Sequence, residues 1–494
     1  MAVVEFRVRR LGPLRETGLE LGGVTLLTGP QAQGKTLVLS ALFSELLPAN
    51  PSLASLCFVE RLPPEVLGGG GLLVDADDVH VNDNIIIENL KVCVDKEGLE
   101  RAKNCARGWL IPENSDYELR VGEKRIDTAE LTFLALQASL HGARAAGESR
   151  LCYDVGDITI GKSIVGDRAK LFEMLLSLSS DPRSLSVKNL VLAELVNEVL
   201  RREREQLTGD LARVRSAIDS IRLAFGNAKN LLSGYRLIYN ATGRSLVAVL
   251  AFDPSFSADR SRPFMSLVSI LKPGTIHVFG MYMGMREGLS LLHSPDRASA
   301  SRALLELAGP ALRGRLAVES DSLYLDLGSG LRVPPRMFHG SALSLSSLVL
   351  SALPLADGRG GFFLVDEVEH QLHPSLHAVA AVLLLGLAGL GIRVVASTHS
   401  TIVTSVTSRI AQAPPEERPC LVKSLYKALG YEPPGSEALE LVKRGAGDAR
   451  IYVVDSGQAM LVEEPLVWVD KLTDPWYSIA SWVASSCGEP DHAR

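Results

Sequence analysis

The chain has 494 residues, 46% hydrophobic and 22% charged, with mean hydropathy +0.16, net charge −6 and a pI of about 6.0. That length and apolar content allow about two to four domain-sized units with filled cores. The acidic balance excludes non-specific nucleic-acid binding by the whole surface and leaves only a local basic face for such a role.

Six cysteines, Cys57, Cys93, Cys105, Cys152, Cys420 and Cys487, form no CxxC pair and no Cys/His cluster of zinc spacing. The expectation is reduced thiols in a cytoplasmic protein, a disulfide in a thermophile's cytosol being the main exception. The opening MAVVEFRVRRLGPL is too short in apolar run and too arginine-rich for a signal peptide. Residues 378–392, AVAAVLLLGLAGLGI, are interrupted by glycines and followed by Arg393. They fall short of the ~20 residues a membrane span needs and read as a buried helix feeding a strand.

In chain order, residues 3–9 and 14–21 alternate as a hairpin does, and VTLLT at 24–28 is a buried strand. A loop at 29–34 and a helix at 35–47 follow. From 55 to 165 the pattern is mixed: four glycines at 68–71, strands in LLVDADDVHV and NIIIENLKVCV, and a helix near 127–142. Residues 185–232 are helical. Leu207, Leu211, Val214, Ile218, Ile221 and Phe225 recur at heptad spacing, which fits either an arm packed on the body or a short partner-binding coiled coil. Residues 235–253 have strand character, and 264–345 mix strands with a helix near 297–308. A helix at 346–353, a strand at 362–365, a helix at 374–388 and a strand at 392–397 then alternate as parallel strands with crossover helices do. A helix near 436–444 and the hairpin RIYVVDSGQAMLVEE follow.

Gly29, Pro30, Gln31, Ala32, Gln33, Gly34, Lys35 and Thr36 fit GxxxxGKT, between an apolar strand and a helix. Backbone N–H groups of such a loop form an anion nest at a helix N-terminus. Gly34 permits close approach of phosphate, Lys35 brings a positive charge to it, and Thr36 offers a hydroxyl to Mg²⁺. The alternative is a glycine-containing turn that caps the helix.

FFLVDEVEHQLHP drives an apolar strand into adjacent carboxylates. An isolated pair would read as a solvated turn. Beside a phosphate loop, Asp366 is the expected Mg²⁺ carboxylate and Glu367 the residue that orients or deprotonates water. His399, in ASTHS after the next strand, is placed to touch a γ-phosphate, although a lone histidine is more often structural.

The order of GPQAQGKT, a degenerate signature at Leu343, Ser344, Ser346 and Ser347, FFLVDEVEHQLHP and ASTHS resembles the core of ABC-type ATPases. More narrowly it is similar to the RecF/SMC-like group of soluble ATPases, close to OLD-type and archaeal AAA-named proteins. Their DEPExxLHP motif is matched by Asp366, Glu367, Glu369, His373 and Pro374, and VVEFRVRRLGPLRETGLEL resembles their N-terminal hairpin. Residues 281–289, MYMGMREGL, look like their arginine-bearing segment and make Arg286 a candidate.

The resemblance implies an α/β P-loop NTPase with an ABC-ATPase-like mixed-sheet core, an N-terminal antiparallel β subdomain and an inserted helical or coiled-coil arm. The expected segments are 1–165 and 261–410 for the split core, 166–260 for the arm and 411–494 for an extension. It further implies ATP and Mg²⁺ as ligands and a homodimer that sandwiches two ATP molecules. Ser344 and Ser346 would contact nucleotide in trans, and His373 and Pro374 would lie at the subunit interface. DNA or a protein client is the expected partner. Three departures stand out: Ser346 and Ala32 where glycine is usual, and Val368 for proline. Gln137 is the available candidate for the family's Q-loop glutamine.

The leading expectation is therefore an ATP hydrolase, with Lys35, Glu367 and His399 catalytic and Thr36 and Asp366 on the metal. The alternative is an ATP-binding scaffold or switch with little hydrolysis. The residues after His399 show no carboxylate cluster following a strand, so intrinsic nuclease activity is not expected.

Overall fold

The structure, a computed structural model, describes residues 3–49, 72–140, 144–145, 150–162, 209–232, 236–242, 244–252, 276–293, 299–319, 322–328, 330–338, 340–356 and 360–462, with isolated positions between 166 and 196. The four glycines at 68–71, Leu207 and most of the helical stretch 185–208 lie outside the described residues. The chain divides into two compact units. One comprises Met1–Leu46, Ala106–Ile126 and Ser233–Arg494, and the other Leu47–Cys105 and Asp127–Leu232.

The first unit is built on a six-stranded sheet. Its order is Leu237–Asn240, Gly361–Val365, Ile392–Ser397, Val24–Thr28, Ala449–Asp455 and Gln458–Leu461. The first five strands are parallel and the last is antiparallel. Gly361–Val365 and Val24–Thr28 are buried at every position, which is why they read as unbroken apolar runs instead of alternating ones. Val4–Leu11 and Leu14–Leu21 form the expected hairpin, extended by Asp116–Val121 and Lys124–Arg125 into an antiparallel sheet. A third, small antiparallel sheet joins Arg315–Glu319, Ser322–Asp326 and Arg332–Val333.

The apolar stretch at 378–392 is the body of helix Pro374–Gly389 and the start of strand Ile392–Ser397. Proline at the first helical position and His373 as N-cap start the helix. Its glycines have a packing role: a Cβ on Gly389 would lie 2.0 Å from the Leu441 carbonyl oxygen of the neighbouring helix Ser436–Gly445. Reciprocally, a Cβ on Gly445 would lie 1.9 Å from the Leu385 carbonyl oxygen. Only glycine lets the two backbones approach this closely. Among the described residues no helix is long and apolar enough to cross a membrane.

Two segments differ from their sequence reading: helix Ile276–His293 occupies part of the stretch 264–345, read as strands with a helix near 297–308, and residues 235–253 are not strand throughout. Residues 235–253 give a short strand, Leu237–Asn240, and then a helix, Arg244–Phe252. The valines and leucines of SLVAVL suggest a strand, yet Arg244, Val247, Ala248 and Ala251 are buried while Leu246 is exposed, which is helical spacing. Packing decides the conformation over β propensity.

The second unit carries its own sheet, ordered Leu72–Asp75, Asn84–Asp95, Arg150–Gly161 and Arg144–Ala145, with Asp78–Val81 also paired to Asn84–Asp95. Helix Gly209–Leu231 belongs to this unit. Its Val214, Ala217, Ile218 and Ala224 are buried, and Arg213 donates to the carbonyls of Val155 and Asp157 at 2.8 and 2.9 Å. Two of the six heptad positions, Val214 and Ile218, are thus buried.

The cysteine expectation is corrected here. Cys93 and Cys152 are directly opposite on paired antiparallel strands and form a disulfide. Sequence spacing gave no sign of it because strand register, not spacing, brings the two together. The bond closes a loop across 59 residues of sequence, so its reduction should lower stability by about 2–4 kcal/mol. Denaturant unfolding with and without reductant measures this. Alkylation of both cysteines in unfolded, unreduced protein would show that the bond does not form.

Candidate functional site

The site forms where the C-terminal ends of three parallel strands meet the N-terminus of helix Lys35–Leu46, the usual ligand position in an open α/β sheet. Two glycines shape the phosphate loop. Gly29 has φ +128°, and a Cβ there would lie 2.4 Å from the Val454 carbonyl oxygen. Gly34 has φ +94°, with Pro13 Cγ 3.1 Å from the same point. Ala32, where glycine is usual, has φ 59°, left-handed backbone that costs an alanine about 1 kcal/mol. Gln33 ties the loop to the far hairpin by accepting the Ser456 N–H at 3.1 Å.

Lys35 is buried, and its Nζ donates to the carbonyls of Gly29 and Pro30 at 2.9 and 2.5 Å. Burial pushes its ammonium down from the usual lysine range, while Glu369, Asp366 and Glu367 push it back up. The Thr36 hydroxyl donates to the two Asp366 carboxylate oxygens at 3.0 and 3.2 Å. Asp366 also accepts the Ser397 hydroxyl at 2.6 Å, and the same Ser397 oxygen accepts the Glu367 N–H at 2.8 Å. Gly29, Thr36, Asp366 and Glu367 are thus gathered at one end of the sheet. A cleft of about 480 Å³ opens there, lined by Pro13, residues 31–37, Glu367 and His399.

The residues fit a magnesium ion. Thr36 and Asp366 present hard oxygen donors in direct contact, the type Mg²⁺ selects. Among the described residues no group of three or more His, Cys, Asp and Glu could hold a metal by itself. Mg²⁺ does not require one, because it takes one or two protein ligands and completes its shell with water and phosphate oxygens.

Glu367 has φ 46°, left-handed for a non-glycine residue, and its side chain is partly exposed beside the cleft. His370 Nδ1 lies 3.5 Å from its carboxylate. Glu369, unassigned by sequence, joins two loops: its carboxylate accepts the Thr398 hydroxyl at 2.7 Å and the His399 N–H at 2.5 Å. His377 reaches from its helix to the Leu372 carbonyl at 3.2 Å and the Ser400 hydroxyl at 2.9 Å, and burial pushes its pKa down. A neutral ring that donates to Leu372 and accepts from Ser400 satisfies both contacts.

Ser344 and Ser346 sit elsewhere than at a nucleotide-facing edge. Both are fully buried in helix Gly340–Ala352. Ser344 donates to the His370 carbonyl at 2.8 Å and Ser346 to the Ala342 carbonyl at 2.7 Å. The exposed start of that helix is Gly340, followed by half-buried Ser341. Arg286 donates to the Ala251 carbonyl from within helix Ile276–His293 and does not line the cleft. Gln137 lies on helix Thr128–Ser139 in the second unit. His373 and Pro374 start helix Pro374–Gly389, with His373 exposed.

Sequence reading missed Arg244. Its side chain is fully buried, and Nη2 donates to the carbonyls of Asp366 and Glu367 at 2.6 and 2.8 Å. Nη1 reaches the Val368 carbonyl at 3.2 Å. Nothing in RSLVAVLAF marks this arginine, since its shortest contacts are to backbone carbonyls more than a hundred residues away.

Glu369 gives a direct test of how the His399 loop is held. Glu369→Ala removes both acceptors, so Thr398 and His399 each lose this partner. Amide exchange at His399 should quicken about tenfold, the equivalent of one lost hydrogen bond. Unchanged exchange would mean that Glu369 does not hold the loop.

No model of a known protein family matches this chain, and no curated protein matches it. Among solved structures, the SMC head domain from Thermotoga maritima is 8% identical, with a TM-score of 0.31 over 94% of this chain and 98% of that one. An SMC head domain with an extended coiled coil from Pyrococcus furiosus, bound to the C-terminal domain of ScpA, is 10% identical. Its TM-score is 0.29, over 96% of this chain and 100% of that one. Another SMC head, bound to the C-winged helix domain of ScpA, is 9% identical with a TM-score of 0.29, over 93% and 96%. Overlap at such TM-scores supports no transfer of residues or activity. The α/β P-loop fold follows from the chain itself: the parallel strand order, the glycine-shaped loop at a helix N-terminus, and the acidic strand end beside it.

Proposed function

We propose that this protein is a Mg²⁺-dependent ATP hydrolase that closes as an ATP-sandwich homodimer to drive or gate a partner process. The single observation that carries the reading is the contact of Thr36 with Asp366 at the mouth of the phosphate loop, with Glu367 and His399 lining the same cleft. Backbone N–H groups of the loop and Lys35 bind the phosphates. Lys35 would exchange its two loop carbonyls for phosphate oxygens. Thr36 and Asp366 hold the metal, which supplies neutralisation of developing phosphate charge. Glu367 accepts a proton from the attacking water or aims it. His399 donates to the terminal phosphate from a loop fixed by Glu369.

The two-copy sandwich and a DNA or protein client come from the resemblance in sequence motifs, and the cytoplasmic setting from the expectation of reduced thiols. The Cys93–Cys152 bond argues against a strongly reducing cytosol as the usual setting. A second reading, a nucleotide-operated switch with slow turnover, is favoured by Ser344 and Ser346. Their hydroxyls are committed within their own chain instead of facing outward.

Phosphate release by wild-type protein, with and without DNA, separates hydrolase from switch. Glu367→Gln should lower the rate about 10²–10⁴-fold, the usual worth of a general base. It should still bind ATP and should accumulate an ATP-dependent dimer in light scattering. A variant that turns over at the wild-type rate would remove Glu367 from the role.

A further inference from the structure

Arg244 opens helix Arg244–Phe252, directly after the strand that pairs with Gly361–Val365. It is fully buried, and burial lowers its pKa to about 10, so it remains charged near neutrality. A guanidinium has five N–H donors and no acceptor. Those donors meet the carbonyls of Asp366, Glu367 and Val368, the Ala241 carbonyl at 3.4 Å and the Ser344 hydroxyl at 3.5 Å. Three successive carbonyls do not ordinarily point at one cation. They do so here because Glu367 is left-handed, with φ 46°. The arginine therefore holds the backbone conformation that aims the Glu367 side chain.

The same loop is stapled to helix Gly340–Ala352. Ser344 donates to the His370 carbonyl. Ser341 donates to the Gln371 carbonyl at 3.1 Å and accepts the His373 N–H at 2.8 Å. Arg244 and Ser344 are the buried part of this seam. Gly340 and Ser341 reach the surface at its other end. A displacement of that exposed turn has a continuous hydrogen-bonded route to the backbone of Glu367.

We propose that Arg244 is a positioning residue that fixes the aim of Glu367 and makes its loop move as one piece with the first turn of helix Gly340–Ala352. The exposed turn thereby gains control over the reactive carboxylate of its own chain. This rests on the reading of Glu367 as the group that handles water.

The test is Arg244→Lys, which keeps the charge but replaces a planar fork with a single ammonium that cannot span residues 366–368 and Ser344. The expected result is kcat reduced at least about thirtyfold. Affinity for a non-hydrolysable ATP analogue should stay within about threefold, because the hydrogen bonds of Arg244 go to residues outside the phosphate loop. In a double-mutant cycle, adding Arg244→Lys to Glu367→Gln should lower the residual rate no further, as expected if Arg244 acts only through Glu367. A kcat close to wild type, parallel losses of kcat and affinity, or additive losses in the cycle would each overturn the proposal. If Arg244→Lys does not fold, Ser344→Ala decides. A fall of about fivefold in kcat at unchanged affinity supports the proposal, and an unchanged kcat overturns it. Failure of the underlying reading shows separately, as wild-type protein that releases no phosphate or as Glu367→Gln that turns over normally.

Discussion

The hydroxyl of Ser397 donates to Asp366 and accepts the N–H of Glu367, and the site depends on that pair of bonds. Ser397 ends the strand between Val24–Thr28 and Gly361–Val365, so it stands midway between the phosphate loop and the acidic loop. The parallel register that pairs Ser397 with Leu27 and Val365 with Ala396 brings Thr36 within 3.0 Å of Asp366 across 330 residues of sequence. The register is in turn specified by burial. The strands carry apolar side chains on both faces, and slippage would bring the charged strand ends into the core.

That apolar frame supports a strained and polar rim. Ala32, Glu367 and Gln371 all have left-handed backbone without being glycine, each at a cost of about 1 kcal/mol or more. Strain of this kind persists only where neighbours over-determine the conformation. Glu367 is held from below by Arg244 and from the side by Ser397, and His399 is held through Glu369. The backbones of the two side chains that line the cleft opposite the phosphate loop are thus fixed. Preorganisation of that form is what the proposed hydrolysis would draw on.

The legible part of the fold and site was that in which function leaves a local trace. GPQAQGKT shows itself because phosphate contact needs glycine, lysine and threonine at fixed offsets. Asp366, Glu367 and His399 show themselves because charge at the end of an apolar strand is unusual. Arg244 left no trace, since a side chain that binds backbone carbonyls imposes no pattern on its partners. The serine-rich LSLSS suggested a signature because it falls between GPQAQGKT and FFLVDEVEHQLHP, the order of the family that the chain resembles. In the folded chain Ser346, Ser347 and Ser351 each donate to the carbonyl four residues back, the habit of buried helical serines. The cysteine pair was hidden for the opposite reason: its geometry is set by cross-strand register across 59 residues.

The serine stripe also explains how a polar seam survives in so apolar a core. Ser351 accepts the Asn240 side-chain N–H at 2.8 Å, and Ser347 reaches the Arg244 carbonyl at 3.4 Å. The helix face turned toward strand Leu237–Asn240 and toward Arg244 is therefore small and hydrogen-bonding, where leucines would leave the arginine without room or partners. Serine rather than glycine at 346 is consistent with this placement, because the position lies buried inside the helix. The helix begins at the exposed Gly340, where the backbone N–H groups of the first turn have no intrahelical acceptors. A helix of thirteen residues whose buried face is tied to the loop that carries Glu367 and whose first turn faces outward has the form of a lever, with Arg244 at its fulcrum.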